Sequence, residues 1–246
     1  MNAIVSQDLT RKFGDFTAVD RLNLQVKEGE IFGFLGANGS GKTTAIRMFS
    51  GLLQPTSGSA TVAGLDIAKD ADRIKKRIGY MSQRFSLYED LTVWENLQFY
   101  GGIYGVSRAD LRKKGTELLD RLGLGPMRND LIKSLPLGWR QKLAFSSAIL
   151  HEPAVVFLDE PTGGVDPITR RQFWEMMYET AAKGITVLVT THYMDEAEYC
   201  NRVSIMVNGR MEAVGSSAEL KRQYQVADMD ALFLHLARPD GAFTHQ

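Results

Sequence analysis

Apolar and polar positions alternate at period two over residues 4–9 and 22–26, where Leu22, Leu24 and Val26 fall on one face. That spacing predicts half-buried antiparallel strands. Residues 31–35 form instead a short apolar run, and a helix pattern over 43–53 follows a glycine-rich turn. Pro55-Thr56-Ser57-Gly58 marks a turn before a strand at 59–62, and a short basic helix at 71–77 leads into a strand at 78–81. From about residue 84 to 150 the period becomes helical. Val93, Leu97, Tyr100 and Tyr104 line one such face, Leu111, Leu118 and Leu122 another, and a third helix covers 138–150.

Residues 155–158 (Val-Val-Phe-Leu) are continuously apolar, as in a strand buried on both faces of a parallel sheet. A helix at 170–183 and a strand at 185–189 complete a βαβ step. Strands at 202–207 and 210–214 flank Asn208-Gly209, which predicts a hairpin with a type I′ turn. Two small helices follow, near 218–224 and 230–236. The pattern therefore describes an α/β core with an antiparallel β subdomain at the N-terminal end and a helical subdomain inserted at about 84–150. Residues 1–220 form one domain in this reading, and 221–246 a short helical tail.

A chain of 246 residues is long enough for one large domain of this kind. Its 29 Lys and Arg cancel its 29 Asp and Glu, so no nucleic-acid partner and no polybasic membrane anchor are expected. The single cysteine, Cys200, excludes an intramolecular disulfide and reads as a small packed residue. The opening Met1-Asn2-Ala3-Ile4-Val5-Ser6 lacks a basic and then apolar stretch, so no signal peptide is expected. No apolar run reaches the length of a bilayer span.

Candidate chemistry starts at Gly36-Ala37-Asn38-Gly39-Ser40-Gly41-Lys42-Thr43-Thr44. This run fits G-x-x-x-x-G-K-[ST] between a predicted strand and a predicted helix, the setting of a phosphate-binding loop. Glycines let successive backbone N–H groups approach a phosphate, and the helix start adds its positive dipole end. Lys42 reaches the β- and γ-phosphates in such a loop, and the Thr43 hydroxyl binds Mg²⁺. Phosphoryl transfer also needs a carboxylate for the metal and a group that activates water. Asp159 and Glu160 close the apolar strand at 155–158, at the end where ligands of such sheets bind. Asp159 is the natural Mg²⁺ partner and Glu160 the natural base.

Further motifs stand in order along the chain: Phe13-Gly14, Ile78-Gly79-Tyr80-Met81-Ser82-Gln83, Glu160-Pro161-Thr162-Gly163-Gly164-Val165-Asp166-Pro167, and Thr190-Thr191-His192-Tyr193-Met194-Asp195-Glu196-Ala197. Together they resemble the ATPases of ATP-binding cassette (ABC) transporters, over about residues 13–215. The resemblance implies a P-loop NTPase core of RecA-like type that binds ATP and Mg²⁺. It implies that Phe13 stacks on adenine and that Gln83 touches Mg²⁺ or the attacking water and relays nucleotide state to a transmembrane partner. It further implies that His192 contacts the γ-phosphate and Asp166 bridges a dimer interface. His151, His235 and His245 match none of these motifs and read as structural.

One segment departs from the family. Where it usually carries Leu-Ser-Gly-Gly-Gln, this chain has Leu135-Pro136-Leu137-Gly138-Trp139. In the family this segment reaches the γ-phosphate held by a second subunit. Pro136 has neither hydroxyl nor N–H, Leu137 adds bulk, and Gly138 keeps one backbone donor. Loss of one charge-assisted hydrogen bond should cost about 1.5–3 kcal/mol unless something replaces it. Trp139 either packs across the interface or sits in the helical lobe. The Leu-Pro-Leu-Gly-aromatic pattern resembles that of some exporter-type ABC ATPases, as does the C-terminal helical segment at 229–236.

The resemblance thus implies an ATP-hydrolysing exporter subunit that forms a homodimer with ATP at its interface. It would be cytoplasmic and peripheral on the inner face of the membrane, through an integral membrane permease subunit. Phe85, Leu87 and Tyr88, just after Gln83, are candidates for the permease-docking surface or for the lobe's own core. A soluble ABC ATPase and a poorly hydrolysing ATP-dependent dimerisation switch are the alternatives.

Overall fold

Alternating residues give β1 (Asn2–Phe13) and β2 (Phe16–Lys27) one face for a core, and the two pair antiparallel. The structure, a computed structural model, describes residues 1–83 and 87–237; Phe85 and His245 lie outside them. Both strands outrun the predicted segments because register shifts let the ladder continue where strict alternation lapses. β3 (Ile31–Leu35) is buried along its length, and α1 (Lys42–Phe49) follows the glycine turn. The helix stops at Phe49 rather than residue 53 because Gly51 takes a φ of 69°, which ends helices. β4 (Ser57–Val62) pairs with β1, and β5 (Leu65–Asp66), too short to announce itself by alternation, pairs with β4.

After α2 (Ala71–Lys75) and β6 (Ile78–Met81) comes the lobe of α3 (Val93–Ile103), α4 (Arg108–Leu122) and α5 (Leu137–Ile149). Thr92 and Glu95 form a capping box that starts α3. β7 (Val155–Asp159), α6 (Pro167–Ala182) and β8 (Thr186–Thr191) follow. α6 begins three positions before the expected residue 170 because Asp166 caps it and Pro167 suits its first turn. The hairpin of β9 (Arg202–Val207) and β10 (Arg210–Gly215) turns through Asn208 and Gly209, with φ of 49° and 81° as a type I′ turn requires. α7 (Ser217–Tyr224) and α8 (Met229–Ala237) close the described chain.

The strands form two sheets, ordered β2-β1-β4-β5 and β10-β9-β3-β8-β7-β6. In the second, β9, β3, β8, β7 and β6 are mutually parallel, so the carboxyl ends of β3, β8 and β7 lie side by side. Their apolar runs are continuous because both faces are covered. Val155 and Phe157 of β7 and Leu188 of β8 pack with α1 and the antiparallel sheet. Val156, Leu158, Val187 and Val189 pack instead with α3, α4, α5 and α6. A third cluster joins Leu35, Val203 and Ile205 to Leu220, Met229 and Leu232 of the last two helices. No helix among the described residues is long and apolar enough to cross a membrane.

His151 shows how a polar group ties the lobe to the sheet. Its Nε2–H donates to the Ile78 carbonyl (3.1 Å), and its ring stacks on Tyr104 at 3.8 Å. Nδ1 is buried without a partner, so a second proton there would gain no hydrogen bond. Burial first, and the Lys114 charge after it, hold the imidazole below its ordinary value of 6.5, against the opposing pull of the Ile78 carbonyl. A depressed pKa means that the unfolded chain takes up the proton first as pH falls. Stability from neutral His151 is therefore full above about pH 6.5 and lost below it. His151→Gln keeps a donor but does not titrate. Urea unfolding between about pH 7.5 and 5.5 should show a smaller acid-side loss of stability in this variant than in the wild type.

Candidate functional site

The loop after β3 is shaped by two glycines that no other residue could replace without displacing backbone. Gly36 has a φ of 153°, and a Cβ there would lie 2.4 Å from the Met206 carbonyl oxygen. Gly41 has a φ of 107°, and a Cβ there would lie 2.4 Å from the Ala18 carbonyl oxygen. Ala37, Asn38 and Gly39 form the exposed crest, while Ser40 is buried with an unpartnered hydroxyl. Thr43 and Thr44 follow Lys42 in the first turn of α1, whose N–H groups have no intrahelical partners. Lys42 is 4% exposed, and its ammonium donates to the carbonyls of Gly36 (2.7 Å) and Ala37 (3.1 Å). Burial lowers its pKa, opposed by the charges of Glu160 and Asp159.

Two carboxylates meet this loop from the end of β7. Asp159 is buried, and its Oδ1 accepts from the Thr43 hydroxyl (3.2 Å) and the Thr190 hydroxyl (2.7 Å). Glu160 adopts the left-handed conformation, with φ of 51°, at a cost on the order of 1–3 kcal/mol for a non-glycine residue. Its N–H donates to the Thr190 hydroxyl (3.0 Å), which helps hold that conformation. One of its carboxylate oxygens lies 3.9 Å from Lys42 Nζ. The other accepts from Gln83 Nε2 (3.0 Å) and lies 3.3 Å from His192 Nδ1. Six residues read from the sequence thus meet by direct contact: Lys42, Thr43, Gln83, Asp159, Glu160 and His192.

Phe13, Asp166 and the 136–138 segment make their contacts elsewhere on the chain. Phe13 is 48% exposed at the end of β1, with the Arg11 guanidinium 4.5 Å from its ring centre. Asp166 caps α6, accepting from the N–H groups of Ile168 and Thr169 and from the Thr169 hydroxyl (2.6 Å). Those bonds, with Thr169 foremost, hold its carboxyl below the ordinary range. Pro136 is the N-cap of α5, so the helix starts at Leu137 and Gly138 lies inside its first turn rather than before it. Proline suits that boundary because its fixed φ and missing N–H cost nothing there. A Cβ on Gly138 would lie 2.9 Å from Thr169 Cγ2, so α5 and α6 touch at this glycine. Trp139 packs against its own lobe, with Lys142 Nζ 5.0 Å from its ring centre. Leu87 is buried in the lobe's core, whereas Tyr88 is half exposed.

Thr190, which opens the motif around His192, and Gln141 join the site without a role that their motifs assign. Thr190 donates to Asp159 and accepts from Glu160, bridging the carboxylate pair. Its signal was a polar residue at the end of a fully buried strand. Gln141, also buried, donates to the Gly163 carbonyl (3.1 Å) and ties α5 to the loop after Glu160. Burial of Cys200 against the core pushes its thiol up, in keeping with a packed residue. Thr190→Val keeps the side-chain volume but removes both bonds. It should destabilise the fold by about 1–3 kcal/mol, measured by urea unfolding, since buried Asp159 loses the shorter of its two hydroxyl bonds while the Glu160 N–H keeps only the Thr190 carbonyl (3.2 Å).

Comparison with known proteins places the chain among relatives of one family. A family model described as ABC transporter matches residues 19–163. The chain is 47% identical over 220 residues to the probable multidrug ABC transporter ATP-binding protein YbhF of Escherichia coli (strain K12), covering 89% of this chain and 38% of that protein. It is 40% identical over 220 residues to the daunorubicin/doxorubicin resistance ATP-binding protein DrrA of Streptomyces peucetius, covering 89% of this chain and 67% of that one. The solved structure of an ATP binding subunit of an ABC transporter has a TM-score of 0.87 at 29% identity, over 96% of this chain and 100% of that chain. The dimeric, post-hydrolysis ATP-binding cassette MJ0796, bound to ADP and Pi, has a TM-score of 0.78 at 26% identity, over 87% of this chain and 98% of that chain.

Proposed function

The chain belongs to the ABC transporter family, and from that premise we propose that it binds and hydrolyses ATP as the nucleotide-binding subunit of an exporter. Residues 1–220 would be the nucleotide-binding domain, with its helical subdomain at 84–150, and 221–246 its tail. The observation that carries the proposal is the single cluster of Lys42, Thr43, Gln83, Asp159, Glu160 and His192 at the carboxyl ends of β3, β6, β7 and β8. Because the chain spans 38% of the Escherichia coli relative, the activity of a whole transporter is part of the proposal. Relatives named for multidrug transport and for linearmycin or daunorubicin resistance favour export of drug-like organic molecules.

The residues present fit ATP and Mg²⁺. Gly36 and Gly41 let the loop backbone take a path that any Cβ would block, and buried Lys42 donates, among the described residues, to the Gly36 and Ala37 carbonyls of that loop. Residues 36–44 would hold the phosphates through backbone N–H groups and Lys42, and Phe13 would offer its exposed ring to adenine. Thr43 and Asp159, already in contact, would hold Mg²⁺ together with Gln83. Bound Mg²⁺ neutralises the charge that develops on the phosphates. Glu160 takes the proton of the attacking water, and Gln83 and His192, both beside its carboxylate, orient the water and the γ-phosphate. Asp166 and the N-terminal end of α5, at Pro136, Leu137 and Gly138, would complete the site of a second copy in a homodimer. The exposed aromatic patch of Tyr88 and Phe99, 4.6 Å apart, with Ile103 beside it on α3, would receive the membrane permease.

Glu160→Gln should lower steady-state ATP hydrolysis roughly 10²–10⁴-fold, the usual contribution of a general base. A wild-type rate no higher than the variant's would instead favour the dimerisation switch, the reading that Pro136 and Leu137 support. Pro136→Ser with Leu137→Gly restores a hydroxyl and removes bulk. ATP-driven dimerisation, followed by sedimentation, should strengthen by about 1.5–3 kcal/mol. Unchanged dimerisation would mean that the chain has adapted around Pro136.

A further inference from the structure

A groove of about 560 Å³ separates α6 from the segment after β8, and Arg170, Trp174, Tyr178, Asp195 and Tyr199 line it. Beneath it the carboxylate of Glu196, fully buried, accepts from Trp174 Nε1 (3.4 Å) and lies 3.8 Å from Arg170 Nε. A terminal nitrogen of Arg170 lies 3.6 Å from Asp195. The same guanidinium covers the ring of Tyr193, 4.2 Å from its centre. That ring packs in turn on the His192 imidazole, with centroids 4.2 Å apart and planes at 36°. His192 Nδ1 then faces Glu160 at 3.3 Å. One line of contacts therefore runs from Arg170 through Tyr193 and His192 to the carboxylate.

We infer that Arg170 is a positioning residue for His192, resting on the reading that this site hydrolyses ATP. His192 stands just beyond the end of β8, before the short helical turn that begins at Met194. Its neighbour Tyr193 is held by an N–H bond to the Thr191 hydroxyl (3.0 Å) and by the stack with Arg170. A planar guanidinium can lie flat on an aromatic ring while its edge faces carboxylates, which an ammonium cannot do. Arg170 is itself placed by the first turn of α6, where its N–H donates to the Asp166 carbonyl (2.9 Å). The residue that caps α6 thereby sets the height at which Arg170 meets Tyr193, and Tyr193 sets the tilt of the imidazole. Neutralising Glu196 would be a purely structural duty, and it would not depend on His192.

The test is a double-mutant cycle read by steady-state ATP hydrolysis and thermal unfolding. Arg170→Ala should lower kcat on the order of 10²-fold with little change in KM for ATP, the effect of a misplaced catalytic group. In a His192→Ala background the same substitution should cost almost nothing further, because the residue it positions is gone. Tyr193→Leu leaves Arg170 facing Glu196 and should reproduce the loss, which covers the case in which Arg170→Ala fails to fold. Tyr193→Phe, which keeps the ring, should recover most of that rate. An equal loss from Arg170→Ala with and without His192, or a wild-type kcat in Tyr193→Leu, would overturn the inference alone. A wild-type chain that fails to outpace Glu160→Gln would overturn the reading of the site and the inference with it.

Discussion

Everything at this site hangs on the buried carboxylate of Asp159 and the two hydroxyls that reach it. A carboxylate with 2% exposure is tolerable only when hydrogen-bonded, and Thr43 and Thr190 supply those bonds from α1 and β8. The same Thr190 hydroxyl accepts from the Glu160 N–H and so supports a left-handed turn that the residue would otherwise avoid. Strand end, glycine loop and Glu160 are joined through one polar knot. The knot exists because parallel pairing places Asp159 opposite Thr190 and Phe34 opposite Thr190 on the other side.

Burial on both faces of the parallel sheet makes that knot rigid. Val155 and Phe157 look toward α1 and the antiparallel sheet, while Val156 and Leu158 look toward the lobe and α6. With apolar contact on each side, the strand ends have little freedom, and the groups at their carboxyl ends inherit that order. The glycine loop adds its own constraint through backbone approach. Gly36 and Gly41 let it pass within reach of the Met206 and Ala18 carbonyls, which fastens the loop to β9 and β2.

Much of this was legible locally. The strand at Ile31–Leu35 and the strand at Ile78–Met81 fell where the apolar runs put them, and the helical texture after residue 84 gave α3, α4 and α5. Ends were less legible, because they depend on caps and on partners. Asp166 drew α6 forward to Pro167, Gly51 cut α1 short, and β5 formed only because β4 offered it an edge. Pro136 illustrates the same limit. As a motif residue it reads as the loss of a donor, whereas in the fold it is a compatible first cap for α5, and Gln141 and Gly138 bind that helix to the loop and helix beyond Glu160.

The sequence by itself determined which candidate groups the chain carries and in what order: a glycine loop with Lys42 and Thr43, then Gln83, a carboxylate pair at a strand end, and His192. These are contiguous or ordered signals, written in residue type and short spacing, and they need no knowledge of packing. Only the tertiary structure decided how the groups are held. The Thr190 bond to Asp159 spans 31 positions and follows from the register of β7 on β8. The stack of Arg170 on Tyr193 follows from where α6 lies against the turn after β8. Such contacts depend on geometry between distant segments, and no local pattern encodes them.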